Sequence, residues 1–224
     1  ACVRRARRRF LIAGAAGGAL VAGWGIASGP DRLGDPRLIA RSGAIALNAW
    51  LRIGGDGVLE VAVPRAEMGQ GVHTALALLA AEELDVDWPR VRAFQAPVAR
   101  VYANVAVVVD NVPFAPADRG PIARGARFAT GRFAAWLGVQ ATGGSSSVRD
   151  PWGPLRQAAA CARALLLEAG ARRLGVPRAD CTTAAGAVVH AGSGRRIDYG
   201  VLAADAAALA PPAGVRPKRA GARR

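Results

Sequence analysis

The sequence predicts an α+β domain, and three observations carry that expectation. Apolar runs at 46–53 and 58–63 flank a Gly-Gly-Asp-Gly turn, which reads as a β-hairpin. Residues 73–84 (HTALALLAAEEL) are rich in helix formers and apolar on most faces, so they read as a largely buried helix. From Asp150 a long helical pattern runs to about Leu174 and is followed by further short strands.

In chain order, residues 1–9 are basic and 10–26 (FLIAGAAGGALVAGWGI) are mildly apolar. A basic region followed by an apolar stretch is the pattern of an export signal. Arg7-Arg8-Arg9-Phe10-Leu11 resembles the twin-arginine motif, so residues 1–27 are read as such a signal, addressed to the export machinery and a periplasmic location. Cleavage and retention as a membrane anchor both stay open, because no clear small-x-small site stands out. Residues 28–43 read as a linker, with Pro, Gly and charges but no period. After the hairpin and the 73–84 helix, 85–89 stop the chain and 91–95 read as a strand. Residues 105–109 read as a strand and 124–137 as a helix. Asp150 is placed as the cap of the long helix, with Pro151 as its first residue. Residues 181–183, 188–190 and 197–199 are short strands, and a last helix covers about 201–209. Hairpins together with alternating helices and strands give the mixed class over 44–210. Residues 211–224 form a basic, low-complexity tail with the look of a truncation or a shifted reading frame.

The composition narrows the chemistry. The net charge is +14, but ten of the 30 basic residues lie in the first nine and last nine positions, where there is no acid. The body carries 20 basic residues against 16 acidic ones, without a basic stripe interleaved with aromatics, so no nucleic-acid partner is expected. Hydrophobic residues make up 52% and aromatics only 5%, which predicts a core of small side chains. Cys2, Cys161 and Cys181 form no zinc or iron–sulfur spacing, and a Cys161–Cys181 disulfide is left open. With only His73 and His190, any metal would have to arrive with its own organic ligand. Ser145, His73 and Asp150 make a hydrolase triad only on paper, since no nucleophile elbow surrounds the serine.

Two loops stand out. Gly69-Gln70-Gly71 lies between a strand and a helix, where missing side chains, free helix-start amides and the Gln70 amide suit a phosphate or a polar ligand edge. Thr142-Gly143-Gly144-Ser145-Ser146-Ser147 precedes the long helix and offers bare backbone and hydroxyls. Neither loop is a dinucleotide fingerprint or a Walker motif. Together they suggest an anion-bearing ligand.

Residues 64–74 (PRAEMGQGVHT) with 81–87 (AEELDVD) resemble the xanthine dehydrogenase and aldehyde oxidase family of molybdenum hydroxylases, in particular the molybdopterin-binding beta subunit of isoquinoline 1-oxidoreductases. Residues 142–150 (TGGSSSVRD) resemble its second block and 194–202 (GRRIDYGVL) its third, in the family order. The resemblance implies a partial molybdopterin-binding domain. Gly69, Gln70 and Gly71 would lie against the pterin dinucleotide, and Gly143, Gly144, Ser145 and Ser147 around its phosphates and pterin edge. It implies molybdenum carried by molybdopterin, in the cytosine dinucleotide form, and a small iron–sulfur partner subunit. The implied substrate is an aldehyde or an N-heterocycle. The family's catalytic glutamate is not found in this chain, so it is expected not to catalyse alone. A remnant without cofactor, or an exported protein whose basic ends meet a membrane surface, are the alternatives.

Overall fold

A computed structural model describes residues 32–219. The segment 1–27 read as an export signal, the first residues of the expected linker and the last five of the basic tail lie outside them. Four strands, β1 (Ala44–Ala46), β2 (Leu51–Gly54), β3 (Leu59–Val63) and β4 (Val91–Gln95), form a sheet in that order. The first two pairings are antiparallel and β3 lies parallel to β4. The parallel pairing needs a crossover, which α1 (Val72–Leu84) supplies. Three further strands, β5 (Cys181–Ala184), β6 (Ala187–His190) and β7 (Arg196–Asp198), make an antiparallel meander. The remaining helices are α2 (Val105–Val109), α3 (Pro121–Leu137), α4 (Arg149–Leu174) and α5 (Tyr199–Ala207). The α+β class is observed.

The predicted hairpin forms at its turn. Gly57 takes φ 77°, the Asp56 carboxylate accepts from the Val58 amide, and Leu51–Ile53 pair with Leu59–Val61. The run 46–53, read as one strand, is instead broken: β1 ends at Ala46, 47–50 turn the chain, and β2 begins at Leu51. Asn48 reverses the chain, because its buried side-chain oxygen accepts from the amides of Trp50 and Leu51 at 2.9 and 3.1 Å. Local side-chain bonding here outcompetes the apolar pattern.

A second correction concerns 105–109, read as a strand because valine dominates. The segment is helical. Its first amides are taken by acceptors on both sides: Asn104 accepts from Val107, and Asp150 accepts from Val105 and Ala106 at 2.9 and 3.1 Å. Capping overrides β propensity. The same carboxylate explains a third correction. Asp150 does not cap α4; Val148 holds that position, and Asp150 sits in the first turn with its side chain turned towards α2.

The core is built from small residues. Ala158, Ala159, Ala160, Ala162 and Leu166 of α4 are fully buried, and α1 buries Leu76, Ala77, Ala80 and Leu84. Large anchors are few: Trp50 meets Tyr102 edge to face at 5.0 Å and donates its indole N–H to the Arg32 carbonyl. Tyr199 donates to the Leu84 carbonyl at 2.8 Å, which ties α5 to the end of α1. Where described, the segment expected as a linker is largely exposed, but it places Ile39 inside the core and packs Leu33 against it. The described part of the basic tail also docks. Gln157 donates to the Val215 carbonyl, and the Lys218 amide donates to buried Glu83, which Arg163 also reaches at 3.0 Å. Cys161 and Cys181 are not joined to each other, so the disulfide left open is not formed.

Close packing makes single methyl groups matter. A Cβ at Gly170 of α4 would stand 2.6 Å from Val188 of β6. Gly170→Ala is expected to cost about 1–3 kcal/mol, despite alanine's better helix propensity. Chemical denaturation checks this, and an unchanged or raised midpoint would contradict it.

Candidate functional site

The two glycine loops are neighbours. The Ala66 amide in the first loop (64–71) donates to the Thr142 hydroxyl in the second (142–148) at 2.9 Å. Just beneath, Arg65 runs from the first loop to Asp150 after the second, with 2.9 Å between guanidinium and carboxylate. The Arg65 side chain is fully buried, and it also donates to the carbonyls of Pro64 and Tyr102. Arg32 reaches the same Asp150 oxygen at 3.1 Å. Burial pushes the Arg65 pKa down and the Asp150 carboxylate opposes that shift. One buried carboxylate thus anchors both loops and the start of α2.

In the first loop, Gly69 and Gly71 hold φ angles of 92° and 76°, which explains both glycines conformationally. The expectation of free amides there is corrected. The Glu67 carboxylate accepts from Gly69, Gly71 and His73 at 3.0, 2.9 and 3.0 Å. These bonds, with that from His73 first, hold its pKa below the ordinary carboxylate range. The chain's own carboxylate fills the place foreseen for a phosphate. Gln70 is likewise engaged, accepting from the Met68 amide at 2.6 Å and donating to the Ala66 carbonyl at 2.9 Å. Its amide therefore shapes the loop.

The second loop is more open. Ser146, absent from the sequence-derived set, is the structural serine. It is buried, donates to the Gly143 carbonyl at 2.6 Å and accepts from Asn104 at 2.7 Å. Pinning Ser146 inward turns Ser145 and Ser147 away from that contact, and their hydroxyls have no partner among the described residues. Ser145 adopts φ 52°, unusual for a side chain with a Cβ. Gly143 has no positive φ, and a Cβ added to it would meet no atom within 4 Å, so nothing in the chain itself requires glycine there.

The paper triad is not assembled. Asp150 is occupied as described, and the His73 ring faces the Arg65 carbonyl at 3.0 Å. Among the described residues no group of three His, Cys, Asp or Glu side chains could hold a metal. A cleft of about 670 Å³ lies elsewhere, lined by Asp85, Trp88, Arg163, Thr183 and Lys218. A second, of about 440 Å³, includes Arg119, Arg127 and Arg149.

With this geometry in view, the relatives acquire meaning. Residues 4–106 match the family described as the molybdopterin cofactor-binding domain, a span that contains the first loop and not the second. The chain is 34% identical over 204 residues to the isoquinoline 1-oxidoreductase subunit beta of Brevundimonas diminuta, covering 90% of this chain and 22% of that protein. It is 33% identical over 199 residues to the membrane-bound aldehyde dehydrogenase [pyrroloquinoline-quinone] of Gluconacetobacter polyoxogenes, covering 88% of this chain and 21% of that one. Quinoline 2-oxidoreductase from Pseudomonas putida 86 aligns with a TM-score of 0.44 at 18% identity, over 74% of this chain and 17% of its own, too loosely to argue from. The chain thus spans about a fifth of the length of the curated relatives it matches. It is similar to these oxidoreductases, and its residues 4–106 match the molybdopterin cofactor-binding domain. Its likeness to the isoquinoline 1-oxidoreductase beta subunit, read from the three sequence blocks, is shown.

Glu67 gives a pH prediction for the first loop. A carboxylate depressed on folding contributes order that is fully present above its unfolded pKa and is lost as pH falls through the folded one. Amide-exchange protection of Gly69, Gly71 and His73, corrected for intrinsic rates, should fall on acidification through the carboxylate range. In Glu67→Gln it should be low and flat with pH. Equal protection in both proteins would contradict the assignment.

Proposed function

We propose that this chain contributes a cofactor-binding part of a molybdopterin-dependent oxidoreductase and does not complete catalysis alone. The observation that supports the reading best is the junction of the two loops through Ala66 and Thr142, which gives one ligand access to both. The fit is uneven. Gly143, Gly144, Ser145 and Ser147 offer bare backbone and unengaged hydroxyls, and would hold the phosphates and pterin edge. Gly69 and Gly71 leave open space where side chains would stand, so the first loop serves as a wall. Gln70 acts by holding that wall in shape.

When bound, the group supplies oxidative hydroxylation of an electron-poor carbon, as in an aldehyde or an N-heterocycle. The protein's part is to bind and orient it. The cytosine dinucleotide form, a small iron–sulfur partner subunit and twin-arginine export belong to the same proposal. A membrane or periplasmic setting accords with the word "membrane-bound" in one relative's name. No described helix is long and apolar enough to cross a membrane. That relative's name also carries a quinone, a second reading that the next experiment separates.

The 224-residue chain, purified from a host that makes the cofactor, should carry molybdenum and a fluorescent pterin. Gly143→Val should lower both about tenfold with little change in melting temperature, since the added side chain enters open space in this chain. A folded chain with neither metal nor pterin would favour the remnant, and quinone absorbance without molybdenum the second reading.

A further inference from the structure

Asn104 is fully buried, and its side chain works in two directions. Its oxygen accepts from the Val107 amide at 3.2 Å, which caps α2. Its nitrogen donates twice into the second loop, to the Ala141 carbonyl at 2.8 Å and to the Ser146 hydroxyl at 2.7 Å. An asparagine amide carries two donor hydrogens, so both are used here. Ser146 passes the contact on. Its hydroxyl donates to the Gly143 carbonyl at 2.6 Å, and its own amide reaches the same oxygen at 3.2 Å. One buried side chain therefore holds two carbonyls of the loop, Ala141 directly and Gly143 through Ser146.

Planarity of the peptide bond turns this into a statement about donors. In a trans peptide the C=O and N–H of one unit point in opposite directions, and no peptide bond among the described residues is cis. With the Ala141 and Gly143 carbonyls drawn towards Asn104 and Ser146, the amides of Thr142 and Gly144 must turn the other way. Neither amide has a hydrogen-bond partner among the described residues. Gly144 and Ser145 both take left-handed backbone, φ 59° and 52°, which a serine keeps only where its surroundings hold it. Backbone amides turned outward together are the donors with which loops receive phosphate oxygens. We infer, on the reading of the second loop as a phosphate seat, that Asn104 is its positioning residue: it acts through Ala141 and Ser146 to present the Thr142 and Gly144 amides to phosphate oxygens.

Capping α2 is the competing role, and two substitutions separate it. Asn104→Asp keeps an oxygen for the Val107 amide, because aspartate caps as well as asparagine, and loses both donated bonds. Ser146→Ala removes only the relay and leaves the backbone bond to Gly143. Titration of the full chain with inorganic pyrophosphate, followed by amide NMR, should move the Thr142 and Gly144 resonances. Each variant should weaken that binding about tenfold, as expected when the bonds that aim the donors are lost. The double variant should bind like Asn104→Asp alone, because both act on one relay. Gly170→Ala, destabilised away from the loop, should bind as the parent chain does, which separates aim from stability. If Asn104→Asp does not fold, Ser146→Ala decides alone. Unchanged affinity in the folded variants, with the two amides still responding, would overturn the role of Asn104 and leave the phosphate seat standing. Losses that add in the double variant would overturn the relay. No response of either amide in the parent chain would overturn the seat itself, and the role of Asn104 with it.

Discussion

The buried carboxylate of Asp150 is the constraint on which the candidate site depends. It accepts from Arg65, Arg32 and the first two amides of α2, joining segments up to 118 residues apart in sequence. Burying such a group is costly unless every lone pair is used, and here four donors share it. Removing the Asp150 carboxylate would strand the Arg65 charge in a medium of low dielectric, whereas removing Arg65 leaves Asp150 with only the partly exposed Arg32 as counter-charge. The Arg65 Nε is already without a partner, so the buried guanidinium carries an unsatisfied donor before anything is removed. The arrangement fixes where both loops begin, and specificity of geometry is what it contributes.

Around that anchor the two loops divide the work. The first spends its polar groups on itself: Glu67 collects three amides and Gln70 bridges Met68 and Ala66. Such a loop is preformed and stiff, a suitable wall for a ligand. The second spends only Ser146 and Thr142 on the fold, leaving its glycines and remaining serines outward. A ligand carrying phosphate would find neutral donors there without meeting the Glu67 carboxylate first.

Much of the architecture was legible because its signals are local. The Asp-Gly turn, the helix at 72–84, the strand at 91–95 and the glycine ending α4 follow from propensity and periodicity. What failed was decided by partners distant in sequence or by side-chain bonds that mimic backbone ones. The valines of 105–109 fold as a helix because Asp150, some 45 residues away, takes their amides. Asn48 breaks the run at 46–53 with a bond that no hydrophobic pattern contains. In the site, the glycines and serines were visible as residue types, while the roles of Glu67, Thr142 and Ser146 were not. The spacing of Glu67 to Gly69, Gly71 and His73 was the one local hint, and the Arg65–Asp150 pair left none.

The most direct measurement is a double-mutant cycle with Arg65→Met and Asp150→Leu, read by denaturant unfolding. Each single variant should lose several kcal/mol, and the double variant should recover enough of that loss to give a coupling of about 1.5 kcal/mol or more. Additive losses, with a coupling near zero, would mean that the two loops are not held together by this pair and would contradict the account.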